Sequence, residues 1–191
     1  MKIVRSRIFK LLILLLVVGF LLGIISFILS DKKEINNDII NYISLIKNGN
    51  FNKLLGLYNS VVSNIKYSFF IWIFGILFIF VFINLFIIVY KGISLGFMIS
   101  SIIYTYKLNG LILSLILFIN NILYIFIFIL LTYYSVNFAI KSFNTFRNNR
   151  LINYKDFFKN YIILYLIFTL LLIFSSLFEI YISSNLIKFV V

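Results

Sequence analysis

Five long runs of apolar residues, separated by short charged or polar segments, decide what this chain can become. The first, Leu11 to Leu29, carries no charge and follows Lys2, Arg5, Arg7 and Lys10. A helix rises about 1.5 Å per residue, so about 20 such residues cross the hydrocarbon core of a bilayer. This run is longer than the apolar core of a signal peptide and no A-x-A site follows it, so it is expected to stay attached as a membrane helix. The remaining expected spans are 69–90, 92–106, 111–140 and 161–182. The third is short for a crossing, whereas the fourth would reach about 45 Å as straight helix and must tilt, break or protrude. The expected fold is therefore all-α, a polytopic helical membrane bundle of about five transmembrane helices forming one domain over 1–191.

Charge sets the expected orientation. If every run crosses, the N-terminus, Lys91 and the 141–160 segment share one side and hold ten of the 17 basic residues. The positive-inside rule makes that side cytoplasmic and the C-terminus extracytoplasmic. A non-crossing third run would put the basic 141–160 segment outside. The outer side then holds 31–67, where Ile35, Ile39, Ile43 and Ile46, and later Leu54, Tyr58, Val61 and Ile65, recur at helical spacing on either side of Asn48-Gly49-Asn50. Two amphipathic helices are expected there, lying on the membrane surface or against a partner.

Composition limits the chemistry. Histidine and cysteine are both absent, which removes the commonest general acid/base, the thiol nucleophile and the usual metal ligands. The five carboxylates, Asp31, Glu34, Asp38, Asp156 and Glu179, form no paired-acid or metal motif. No catalytic residue, cofactor site or metal site is predicted, and the chain is expected not to be an enzyme. A formal charge of +12 in a soluble protein would suggest nucleic acid. Here the basic residues flank apolar runs, and the expected partner is membrane lipid.

Two glycine pairs, Gly19-x-x-x-Gly23 and Gly92-x-x-x-Gly96 with Ser100 beyond, open grooves through which another helix backbone can approach. Packing within the chain and packing on a partner both remain open. Asn120 and Asn121 fall near the middle of the fourth run, where amides need hydrogen-bond partners on neighbouring helices or mark a break. Glu179 falls at the outer end of the fifth run, either solvated at headgroup level or paired with Lys66 or Lys107. A transporter with a polar midplane path is the alternative to a purely structural role, weakened by the expected lack of charge near the membrane centre.

Several residue groups occur in an order that resembles the stage II sporulation protein M family. They are Gly19-Phe20-Leu21-Leu22-Gly23, Asn64-Ile65-Lys66 leading into Trp72 and Gly75, Lys91 through Phe97, Asn121-Ile122-Leu123, and Glu179-x-Tyr181-x-Ser183. The resemblance covers nearly the whole chain. It departs in lacking prolines around the asparagine of the fourth run and near the last motif. The resemblance implies a non-catalytic scaffold of engulfment in the septal or mother-cell membrane, whose partners resemble stage II sporulation proteins D and P and remodel peptidoglycan.

Overall fold

The computed structural model describes residues 2–147 and 154–190, and among these there is helix but no strand. Helix α1 is Lys2–Leu29, α2 is Lys32–Lys47 and α3 is Lys53–Ile76. After the 3₁₀ turn Phe78–Phe80 comes the helical run Val81–Arg147, folded back on itself at Lys107 into two limbs, α4 (81–106) and α5 (108–147). Helix α6 (Tyr154–Phe178) passes through a π-helical turn, Glu179–Ser183, into α7 (Ser184–Val190). Arg7–Leu29, Phe78–Thr145 and Asp156–Lys188 are long and apolar enough to cross a membrane. Their outward side chains, among them Leu14, Leu21, Ile25, Leu115, Ile119 and Leu170, are exposed, as in a protein whose solvent is lipid.

Local chemistry explains the ends of α2 and the start of α3. The Asp31 carboxylate accepts from the Lys33 amide at 3.0 Å, and Asn52 accepts from the Leu55 amide at 3.1 Å, each satisfying an N–H that has no partner in a first helical turn. Between the two helices Gly49 takes φ +75°, a conformation a side chain would strain. The expected amphipathic helix over the first half of 31–67 is thus present.

The second expected helix of that segment does not stop at 67. It continues to Ile76, and the chain reverses at 77–80, inside the run expected to span 69–90. The expected end at Lys91 does not exist, because α4 passes through Lys91-Gly92 without a break. Polar side chains from other helices hold the last turns of α3, just before the break at 77–80. Asn84 Nδ2 donates to the Ile71 carbonyl (3.1 Å) and to Ser135 Oγ (2.8 Å), while Ser135 Oγ donates to the same carbonyl (2.8 Å). The Tyr161 hydroxyl donates to the Trp72 carbonyl at 3.0 Å. Gly75 lets this clasp close, since a Cβ there would collide with the Tyr161 and Ser135 oxygens.

Pairings across the bundle fix its directions. Met98 meets Asn121 and Lys91 meets Tyr124 and Phe128, so α4 and α5 are antiparallel. Tyr67 lies against Tyr90, so α3 and α4 are antiparallel too. Contacts of Gly19 with Val89 and Gly23 with Ile93 make α1 and α4 parallel. One end of the bundle therefore gathers the start of α1, the turn 77–80, the end of α5 and the start of α6. The other gathers α2, Lys107 and α7. The core runs between them through Leu12, Ile71, Ile88, Phe128, Leu131 and Leu172, with a smaller cluster of Ile43, Ile46, Ile102, Leu113 and Ile187 under α2.

Lys107 turns the chain with φ 50° and ψ −118°, the first central position of a type II′ turn, which glycine favours. Replacing Lys107 with glycine is expected to raise stability by about 1 kcal/mol, as the strain of a side chain there exceeds the added chain entropy of glycine. Thermal midpoints in detergent check this, and a lower midpoint would show that the lysine side chain matters more than its backbone.

Candidate functional site

Lys91 lies in the middle of α4 and is only 8% exposed. Its ammonium sits over three aromatic rings, Tyr67 at 4.2 Å, Phe128 at 4.8 Å and Tyr124 at 5.4 Å from the ring centres. These come from α3 and α5, so three helices converge on one cation. A lysine away from water is costly in hydrocarbon, and faces of aromatic rings offset part of that cost.

A carboxylate completes the environment. Lys91, Ser60, Ser63, Asn64, Tyr124 and Glu179 line a cavity of about 210 Å³. Lys91 and Glu179 attract one another electrostatically across it. Glu179 accepts a hydrogen bond from Ser60 Oγ at 2.9 Å. Behind it Asn64 Nδ2 donates to Ser176 Oγ at 3.0 Å, and Ser176 donates to the Leu172 carbonyl at 3.1 Å. Glu179 also opens the π turn Glu179–Ser183, an irregularity that is rare and recurs at functional sites.

Glu179 is shared with a second cavity, of about 300 Å³, lined also by Asp38 and Tyr42 of α2, Met98 and Ser101 of α4, and Asn121 of α5. Helix α2 therefore roofs a largely apolar cavity, whose walls include Ile39, Ile43, Ile102 and Leu113, and which shares Glu179 with the smaller polar cavity at Lys91. Beyond Lys91 the tightly packed Ile71, Ile88 and Leu131 close the way. The polar part is the small cavity between Lys91 and Glu179, suited to holding an ion, a proton or a small polar group.

The sequence matches the family described as Stage II sporulation protein M over residues 12–184. The chain belongs to that family. It is accordingly a helical membrane protein related to sporulation. Comparison with curated proteins and with solved structures gives no match. The motifs that resemble the stage II sporulation protein M family converge in space. Asn64, Lys91, Asn121 and Glu179, one from each of four of them, line two cavities that share Glu179. Gly19 and Gly23, from the remaining one, support α4 from its other side.

The predicted packing glycines meet each other. Gly19 and Gly23 face the carbonyls of Val89 and Ile93, while Gly92 and Gly96 face Leu16 and Phe20. Ser100 donates to the Gly96 carbonyl of its own helix at 2.8 Å. Asn121 is buried and donates to Met98 Sδ at 3.7 Å, and α5 runs through 120–121 unbroken. The side chain of Asn120 lies outside the described residues, as do residues 148–153 of the basic segment. Lys107 is exposed at the turn, and Glu179 lines the cavity with Lys91 and accepts from Ser60. Sequence reasoning placed Lys91 at a membrane surface and so missed it, together with Ser60, Tyr67, Tyr124, Phe128 and Ser176. Reading 81–106 as one helix would have exposed the lysine in its middle.

Proposed function

We propose that this protein is a non-catalytic membrane scaffold of the engulfment machinery, holding peptidoglycan hydrolases at the septal or mother-cell membrane. Its N-terminus is cytoplasmic, its C-terminus extracytoplasmic, and the five crossings are made by α1, α3, α4, α5 and α6. One observation supports this most: the end of the bundle expected to face outward carries an apolar ledge. Ile40 and Leu45 of α2, and Leu54, Leu55 and Tyr58 of α3, are all exposed there. The glycine grooves are already filled by the chain itself, so a partner would meet the ledge instead. Exposed apolar patches of this kind mark interaction surfaces. Proteins resembling stage II sporulation proteins D and P are the partners, and the lack of histidine and cysteine agrees with chemistry performed by other chains.

The cysteine-free chain makes a direct test possible. Single cysteines at Leu45 and Tyr58 are expected to react with a membrane-impermeant maleimide in intact cells, and cross-linking from them during engulfment should recover a wall hydrolase or its adaptor. Protection of both positions from the reagent would reverse the orientation. Recovery of no wall-remodelling protein, with engulfment normal in a deletion strain, would remove the scaffold.

The Lys91–Glu179 chamber favours a second reading, transport of a small polar solute, because the expected lack of intramembrane charge no longer weighs against it. Solute flux in proteoliposomes that disappears on Asn121→Leu would favour this reading over the scaffold.

A further inference from the structure

A second polar site lies at the opposite end of the bundle from α2, between the end of α5 and the start of α6. It is a cleft of about 290 Å³. Its floor is aromatic: Phe138 is stacked between Tyr161 (ring centres 4.0 Å apart) and Phe157 (4.7 Å). Lys141 stands at its mouth with its ammonium 5.3 Å from the Phe157 ring, and Asn160 and Tyr134 form the exposed rim. Leu164, one helical turn further along α6, closes the side toward the apolar middle of the bundle.

The lining is rich in donors and carries one positive charge. Lys141 offers an ammonium, Asn160 an amide NH₂ and Tyr134 a phenol. Among the described residues no carboxylate lines the cleft, and Asp156, just before Phe157, is off the lining. An acceptor-only anion matches such a wall. Position narrows the choice further. The cleft is level with the turn Phe78–Phe80, where the Phe78 ring meets Phe143, and it sits where the apolar part of α6 gives way to Lys155, Asp156 and Lys159. That is the headgroup level of a bilayer, and basic pockets between membrane helices at this level suit lipid phosphates.

We infer that this cleft is a binding site for the phosphate headgroup of an anionic phospholipid, with Lys141 supplying the charge and Asn160 and Tyr134 the hydrogen bonds. The inference is independent of the scaffold and of the direction in which the chain crosses. A lipid held there would brace the end of α5 against the start of α6.

The single tryptophan gives the readout. Trp72 stacks on Tyr161 at 6.2 Å between ring centres, and its carbonyl accepts from the Tyr161 hydroxyl, so its emission reports on the cleft floor. Short-chain phosphatidylglycerol, short-chain phosphatidylcholine and inorganic phosphate are titrated separately into the full chain in neutral detergent, with binding followed by Trp72 emission and by native mass spectrometry. Phosphatidylglycerol is expected to bind at least about fivefold more tightly than phosphatidylcholine, a difference that one lysine near the membrane surface supplies. Lys141→Gln should abolish that preference and Asn160→Leu should reduce it. Lys159→Gln, which removes the same charge from an exposed position off the lining, should leave it within about twofold. Equal loss in Lys141→Gln and Lys159→Gln would reduce the site to a diffuse basic surface and overturn the inference. So would binding of inorganic phosphate as tight as that of phosphatidylglycerol, or no preference between the two lipids.

Discussion

Replacing Gly96 with leucine is expected to destabilise the bundle by about 3 kcal/mol, the upper part of the range for overpacking a well-filled interior. A Cβ at Gly96 would fall on the Phe20 carbonyl and within 3.2 Å of the Ile24 amide nitrogen, and both are backbone atoms that no rotamer change can move. Gly19, Gly23 and Gly92 face backbone in the same way, so the two helices touch along a seam of four positions. Where lipid is as apolar as leucine, this close approach supplies most of the attraction between helices. Helix α1 leans on α4 and α5 and exposes much of the rest of its surface, so parting the seam frees one whole helix. Denaturation of the purified protein in mixed micelles measures the effect, with Leu21→Ala on the exposed face as a control expected to stay within about 0.5 kcal/mol. Gly96→Ala should fall between the two. A leucine at 96 that costs no more than the control would mean that α1 and α4 are not in contact through these glycines.

That seam was legible in the sequence because its signal is local. Glycines four residues apart on apolar helices state their own packing rule, and long charge-free runs state the membrane class. The reversal at 77–80 was not legible, since Leu77, Phe78, Ile79 and Phe80 include no glycine, proline or polar residue. The last turns of α3 are held by Asn84, just beyond the reversal, and by Ser135 and Tyr161, which come from distant parts of the chain and reach α3 only after folding. Lys91 misled for a related reason. A lysine beside a glycine after a long apolar run has the pattern of a membrane flank, and only the displaced turn converts it into the middle of a helix. Once that helix starts at Val81 instead, the same lysine becomes a buried charge in its middle. Motifs that seemed separate along the chain then line two cavities that meet at Glu179, which residue spacing alone could not reveal.

Lys91 and Glu179 are expected to behave as one unit when changed. Lys91→Met leaves a carboxylate beside the cavity without its cation, and Glu179→Gln leaves the caged ammonium without its counter-charge. Removing one partner of a buried pair costs about 3 kcal/mol or more, whereas replacing both costs far less because no uncompensated charge remains. Glu179, less deeply buried than Lys91, should therefore be the milder single change, at about 2 kcal/mol, and Lys91→Met the stronger. The double variant is expected to be at least about 1 kcal/mol more stable than the two losses added together predict. Equilibrium unfolding of the four proteins in the same micelles supplies the cycle. Simple additivity would show that Lys91 is held by its rings alone and that Glu179 answers only to Ser60. A coupled pair whose double variant folds well but no longer supports engulfment would separate the two roles of the chamber. Stability would then belong to the charges as a pair, and function to what those charges hold or pass between α2 and the middle of the membrane.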